Sequence, residues 1–148
     1  MSNFVNKLLS EYGARIVLTG TAITNRASSY WDPTPIAAKA IIRPSSVEEL
    51  SEMIKRCNIA QQIVVTHGGL TGCAKAADTT AEHIVISLER MTDIEEIDEI
   101  SGTITMQAGA ILENIQKTVT EKEMEIVKTM QFITAKPVLY VCNVDEAS

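Results

Sequence analysis

The sequence predicts an α+β fold, a small mixed β-sheet flanked by helices. Two apolar runs, residues 63–65 and 84–86, are bounded by polar or glycine-rich segments and read as strands. Between residues 38 and 66 the pattern changes from strand to helix and back, which predicts a βαβ crossover. Residues 93–107 contain alternating apolar positions on either side of a turn signal, which predicts a hairpin.

Length and charge limit the classes of function. The chain has 148 residues, enough to bury the core of one ordinary domain. Its net charge of −6 and the lack of a basic patch argue against nucleic acid and anionic membranes as partners, because an acidic surface repels a polyanion. No apolar run approaches the length of a membrane span. The three cysteines follow no metal-ligand spacing, and we expect a reduced, cytoplasmic protein.

Two helices have clear boundary signals. Phe4, Leu8 and Tyr12 are spaced four apart before Gly13, which predicts a short amphipathic helix that ends at this glycine. After Pro44, two successive serines are each followed three residues later by a glutamate, so either serine can begin a helix with a capping box. The apolar stripe predicted for this helix is Val47, Leu50, Met53, Ile54 and Cys57.

The other elements follow apolar runs that end at turn residues or prolines. The predicted strands, besides the hairpin, are residues 15–20, 38–43, 61–66, 83–88 and 137–142. We expect residues 61–66 at the centre of the sheet. Residues 21–35 have no period and are predicted to be a loop pinned by Trp31, and residues 111–119 are predicted to be a helix.

A glycine-rich loop follows the strand at residues 61–66. Gly68, Gly69 and Gly72 fall within five residues, and glycine frees successive backbone N–H groups to turn toward one concave point. An anion, most often a phosphate, occupies such a site. Cys73 stands where a Walker motif has lysine, and the spacing is not that of the dinucleotide fingerprint. A purely structural turn is the alternative.

Motifs on both sides of the glycine loop make its interpretation as an anion-binding loop more specific. They are Arg43-Pro44-Ser45 with the capped helix, the glycine loop, residues 85–91 and Ala108-Gly109. Over residues 38–117 this ordered series resembles the N-terminal domain of FAD-linked oxidases of the vanillyl-alcohol-oxidase, or PCMH, type. Within that family it most resembles the group that contains the FAD-linked glycolate oxidase and D-2-hydroxyglutarate dehydrogenase. The predicted fold is then the first half of a PCMH-type FAD-binding domain.

The resemblance implies FAD as cofactor, its pyrophosphate held by backbone amides of the loop. The implied FAD-binding residues are Gly68, Gly69, Leu70, Thr71, Gly72, Cys73, Ala108 and Gly109. Arg43 is expected to order the strand-to-helix turn, with a phosphate contact as the alternative. The family usually has a second glycine pair where this chain has Lys75 and Ala76. No metal ligand and no catalytic residue is assigned, because the substrate domain that the family implies is not part of these residues.

The end of the chain carries a different resemblance. Residues 132–146 look like the base-recognition strand of the YchF, or Obg-like, ATPases, in which Asn143 and Glu146 would read a purine. We therefore expect a partial FAD-binding domain over residues 1–119 and an unrelated extension over residues 120–148.

Three functions follow. The first is FAD binding as part of a 2-hydroxy-acid dehydrogenase or oxidase, with catalysis incomplete in this chain alone, which is then either inert or completed by a separate chain. The second is a non-enzymatic interaction module or a degenerate truncated product that self-associates through an exposed sheet edge. The third is ATP binding through the YchF-like segment.

Isolated histidines and cysteines have structural interpretations. His67 adjoins the loop and is expected to be a hydrogen-bonded turn residue, with a phosphate or flavin contact as the alternative. His83 is expected to be structural. Cys57 and Cys142 are expected in the core, and Cys73 is expected to be a small packed side chain rather than a reactive thiol.

Overall fold

The computed structural model describes residues 3–73, 75–98, 100–101, 103–111 and 113–114. Within this part of the chain, Gln107–Ala110 pack with the residues up to Asp93 as one compact unit, and Ile94–Met106 belong to a second unit. No helix of the described residues is long and apolar enough to cross a membrane.

The first unit contains a four-stranded mixed sheet and its helices. In chain order its elements are α1 (Asn3–Tyr12), β1 (Val17–Leu18), α2 (Thr21–Thr24), β2 (Ala40–Ile42), α3 (Val47–Ile59), β3 (Val64–His67) and β4 (Ile84–Ser87). The strand order is β1-β2-β4-β3, with β1 antiparallel to β2 and the other pairs parallel. The predicted βαβ crossover is therefore confirmed, with β4 inserted between its two strands.

The second unit contains the predicted hairpin. Its strands are β5 (Ile94–Asp98) and β6 (Thr103–Met106), which pair antiparallel. The predicted helix over residues 111–119 lies mostly outside the described residues. The predicted strand at residues 137–142, with Cys142, and the YchF-like segment lie wholly outside them.

The strand that precedes the glycine loop is not central. Among the described residues β3 pairs only with β4, so the prediction that it lies at the centre of the sheet is wrong. All four residues of β4 are buried, whereas Val64 and Thr66 of β3 are exposed. A strand covered on both faces needs a continuous apolar run, and β4 satisfies this requirement better than β3 does.

The core lies on both faces of the sheet because side chains alternate along each strand. Ala40 and Ile42 of β2 pack in the cluster that contains residues of α1 and α3. Ile41 between them packs in a second cluster with Ile36 and with Ile23 of α2. α2 replaces part of the loop predicted over residues 21–35, since a four-residue helix is too short to produce a readable period.

The ends of α1 and α3 match their sequence signals. Gly13 adopts φ +74° and donates to the Leu9 carbonyl at 2.9 Å, which ends α1. At the start of α3 the Ser46 hydroxyl accepts from the Glu49 amide at 3.2 Å. The Glu49 carboxylate in turn accepts from the Ser45 amide at 2.8 Å, so the capping interaction is reciprocal.

The apolar stripe of α3 is narrower than predicted. Met53 and Cys57 are fully buried and Leu50 packs against them, as expected. Val47 and Ile54 are exposed, so their placement in the core is wrong. Ile54 lies one residue beyond Met53, a rotation of about 100° about the helix axis, and this turns it out of the contact.

Candidate functional site

The glycine loop begins at the carboxyl end of β3, directly after His67. β4 runs parallel to β3, so the turn after β4 lies at the same edge of the sheet. In parallel sheets ligands bind in the crevice outside the carboxyl ends of the strands. The topology therefore places the loop where a ligand is expected.

His67 links the start of the glycine loop to Ala77 through a side-chain hydrogen bond. Its side chain is buried, with 3% of the residue exposed, and Nε2 lies 2.9 Å from the Ala77 carbonyl oxygen. Because a carbonyl only accepts, Nε2 carries the hydrogen. Burial lowers the pKa of His67. The structural interpretation is confirmed, and His83 also has a structural contact, since its Nδ1 accepts from the Thr80 amide at 3.2 Å.

Two neighbouring residues of the segment after α2 donate hydrogen bonds to carbonyl groups of the glycine loop. The Tyr30 amide donates to the Leu70 carbonyl at 2.9 Å. The Trp31 indole nitrogen donates to the Thr71 carbonyl at 3.1 Å. The prediction that Trp31 pins its loop is confirmed, and the partner of that contact is the glycine loop.

The left-handed backbone positions are occupied by residues that carry a Cβ. Leu70 and Lys75 each adopt φ +55°, a region that costs about 1–2 kcal/mol for an L-residue. Gly68, Gly69 and Gly72 do not adopt positive φ. Lys75 thus reaches a glycine-like geometry at an energetic cost.

The glycine loop combines amides that have no partner among the described residues with glycines that are not closely packed. Within the described residues, no amide from Gly68 to Cys73 donates a hydrogen bond. A Cβ added at Gly68 or Gly72 would meet no atom within 4 Å, and one added at Gly69 would only touch the Thr71 methyl group. The protein itself therefore does not require glycine at these positions, whereas a ligand that approaches the backbone does. This arrangement fits an anion such as the pyrophosphate of FAD.

A cavity of about 610 Å³ lies against the loop. Its lining residues come from three segments: Ser28, Ser29, Trp31 and Asp32; Gly68 to Cys73; and Lys75 to Asp78. Cys73 is exposed here, so its prediction as a packed side chain is wrong. The Thr34 hydroxyl, which hydrogen-bonds Asp32, lowers the pKa of Asp32, so that carboxylate is ionised at neutral pH. The charged residues of this lining are Lys75, Asp32 and Asp78, so the side chains carry more negative than positive charge. An anion in the cavity must therefore be held mainly by the backbone amides of the loop.

Ala108 and Gly109 occupy a different place. Neither lines this cavity. The Gly109 amide donates to the Met91 carbonyl at 2.9 Å, and a Cβ added at Gly109 would lie 1.8 Å from the Leu88 carbonyl oxygen. Gly109 is therefore required by close packing on the turn after β4, and contact of this pair with FAD remains a prediction.

Arg43 has the structural role expected of it. Its guanidinium donates to Glu89 at 2.9 Å and to the Arg15 carbonyl, while Arg90 donates to the Arg43 carbonyl at 2.8 Å. These bonds order the segment between β2 and α3. The guanidinium is engaged within the protein, which disfavours the alternative of a phosphate contact.

The sequence pattern does not reveal several residues of the site. Ser28, Ser29, Tyr30 and Asp32 come from an aperiodic loop some forty positions before the glycine loop, and no local signal links the two. The single tryptophan in that loop was the one usable indication.

Comparisons with known proteins bear on the fold and on the cofactor. A family model described as "FAD binding domain" matches residues 38–135. A putative mitochondrial D-lactate dehydrogenase of Schizosaccharomyces pombe is 38% identical over 81 residues, and a D-2-hydroxyglutarate dehydrogenase of Xanthomonas citri is 34% identical over 92. These alignments cover 55% and 62% of this chain but only 15% and 19% of those relatives.

A solved structure shows the same fold. p-Cresol methylhydroxylase matches with a TM-score of 0.66 at 20% identity, over 82% of this chain and 24% of that one. The predicted resemblance to a PCMH-type FAD-binding domain is thus confirmed. The family match continues to residue 135 and so overlaps the start of the segment that resembles YchF. These comparisons do not support the resemblance to YchF.

Proposed function

This chain belongs to the FAD binding domain family, and on that premise we propose that residues 68–73 bind the FAD pyrophosphate through their backbone amides. The observation that carries the proposal is the row of amides that have no partner among the described residues, beside glycines against which no protein atom packs closely. Backbone N–H groups gathered in a concave turn bind phosphate oxygens without needing a side-chain charge. The shortage of cations around the cavity is compatible with this mode of binding.

We further infer that the chain takes part in the oxidation of D-2-hydroxy acids. The support is the 34–38% identity to proteins named as dehydrogenases of D-lactate and D-2-hydroxyglutarate. FAD supplies the hydride acceptor in such a reaction. The part proposed for these residues is to bind and orient the cofactor, and no substrate contact is proposed for them, because the matches span only 15–19% of the relatives' own length.

A flavin titration tests the binding proposal. The purified chain is mixed with FAD, and quenching of flavin fluorescence gives the dissociation constant for the wild type and for Gly68→Val and Gly72→Val. The Cβ of each added side chain would meet no atom within 4 Å in the free protein, so melting temperatures should change little while FAD affinity falls about tenfold or more. Ala14→Val, at an exposed position that does not line the cavity, is the matched control.

Two results would overturn the proposal. One is a wild type that neither quenches flavin fluorescence nor retains a yellow cofactor after gel filtration. The other is FAD binding that the valine variants leave equal to that of Ala14→Val, which would place the pyrophosphate elsewhere.

A further inference from the structure

We propose that Trp31 is a positioning residue for the anion-binding loop. Together with the Tyr30 amide, its indole N–H holds two consecutive loop carbonyls and thereby presets the Thr71 and Gly72 amides for the ligand. This inference rests on the proposed function and adds to it residues outside the glycine motif.

The geometry follows from two hydrogen bonds and the planarity of the peptide group. Tyr30 holds the Leu70 carbonyl at 2.9 Å, and the Trp31 indole holds the Thr71 carbonyl at 3.1 Å. No peptide bond of the described residues is cis, and in a trans peptide the C=O and the following N–H point in opposite directions. The Thr71 and Gly72 N–H groups therefore point away from the segment that holds the carbonyls, and both lack a partner among the described residues.

The loop needs such support because it contains a disfavoured backbone conformation. Leu70 adopts φ +55°, a region that L-residues rarely occupy. Such conformations persist where surrounding contacts over-determine them, and they concentrate at ligand sites. The two bonds from Tyr30 and Trp31 engage the carbonyl of Leu70 and the carbonyl that follows it. Loss of one bond should let this part of the loop relax.

Trp31 itself is held in place. The Ser29 hydroxyl oxygen accepts from the amides of Trp31 and Asp32 at 3.2 and 3.0 Å, and the rings of Tyr30 and Trp31 meet edge to face with centroids 4.9 Å apart. The Trp31 residue is nonetheless 65% exposed and contributes little to the core. Its defined contacts are therefore the neighbouring ring, the cavity and the loop carbonyl, which is the pattern of a positioning residue.

The test compares Trp31→Phe with Tyr30→Phe in the full chain. Phenylalanine at 31 keeps an aromatic ring but removes the donor to Thr71. Tyr30 acts through its main-chain amide, so Tyr30→Phe keeps both bonds to the loop and serves as the matched control. We expect FAD binding about three- to tenfold weaker for Trp31→Phe, the range for one lost hydrogen bond, with Tyr30→Phe equal to the wild type and both melting temperatures nearly unchanged.

A spectroscopic readout separates positioning from general packing. In ¹H–¹⁵N spectra of the cofactor-free protein, the indole N–H of this single tryptophan should exchange slowly with solvent. Trp31→Phe should shift the Thr71 and Gly72 amide resonances, and Tyr30→Phe should leave them in place. Unchanged Thr71 and Gly72 resonances, or unchanged FAD affinity in Trp31→Phe, would overturn the inference.

The inference stays testable if the proposed function fails. Should the wild type bind no FAD, inorganic pyrophosphate replaces it as the probe, with the same two amide resonances as the readout. Weaker pyrophosphate binding by Trp31→Phe than by Tyr30→Phe then supports the positioning role. Equal binding by the two variants, or no binding by the wild type, overturns it.

Discussion

Both terminal nitrogens of the Arg26 guanidinium donate to the two carboxylate oxygens of Glu89, at 2.6 and 2.9 Å. This bidentate pair joins the segment after α2 to the turn after β4. Glu89 also accepts from Arg43 at 2.9 Å and from the Ser87 hydroxyl at 3.1 Å. These bonds, of which that from Arg26 contributes most, lower the pKa of Glu89 from 4.5 to about 2. Glu89 thus anchors the segment that carries Trp31.

Glu89→Gln should make the free energy of unfolding depend less on pH in the acidic range. A folded-state pKa below the unfolded value means that the stabilisation is complete above about 4.5 and is lost as the pH falls toward about 2. With a third of the side chain exposed, solvent screening reduces the expected loss for Glu89→Gln to about 1–2 kcal/mol at pH 7. Urea unfolding between pH 7 and 2.5 should show the difference from wild type shrinking below pH 4.5.

Glu82→Gln is the control for this measurement. Glu82 pairs with Lys39 at 3.0 Å, but its side chain is 76% exposed. Its removal should change the free energy of unfolding by less than about 0.5 kcal/mol at any of these pH values. A Glu89→Gln deficit that is as large at pH 3 as at pH 7 would contradict the assigned charge interaction.

Gly109→Ala should destabilise the fold rather than act on the cofactor alone. The new methyl group would collide with the backbone at Leu88 and Met91, which cannot move as a side-chain end does. We expect a loss of about 2–3 kcal/mol or more in the free energy of unfolding. Gly68→Ala, whose methyl group enters open space, should stay within about 0.5 kcal/mol of wild type. Similar melting curves for the two variants would refute this distinction.

Met53→Ala and Ile54→Ala test which face of α3 is buried. Met53 is fully buried, so its truncation should cost about 2–5 kcal/mol, while Ile54, 49% exposed, should cost less than about 1 kcal/mol. Chemical denaturation of both variants at neutral pH gives the two values. Equal losses would mean that both side chains face the core, as the sequence pattern suggested.

Lys75→Gly should stabilise the protein although it removes a side chain. Lys75 has φ +55°, where glycine carries no steric penalty, and we expect a gain of about 0.5–1 kcal/mol after the entropy cost of glycine. Lys55→Gly, at an exposed site within α3, should instead lose about 1 kcal/mol. Thermal melts of both variants measure this contrast in sign, and a Lys75→Gly melt below that of wild type would contradict it.

Local patterns account for the correct predictions of the fold. α1, α3 and the β5–β6 hairpin were predictable because each carries its signal within a few residues: Gly13 after a helical period, Ser46 before Glu49, and a turn between alternating strands. The exposure of Ile54 and the exposure of Cys73 were not predictable from such patterns. They depend on which surfaces meet after the chain has folded.

The sequence by itself determined the family and indicated the loop that we propose as the anion site. The ordered motifs of residues 38–117 can be read directly from the sequence. The glycines at 68, 69 and 72 can be read in the same way, because a ligand can approach a backbone closely wherever the side chain is absent. Only the tertiary structure decided how that loop is held. Tyr30 and Trp31 reach Leu70 and Thr71 across forty positions of sequence, since hydrogen bonds depend on proximity in space, which no local pattern records.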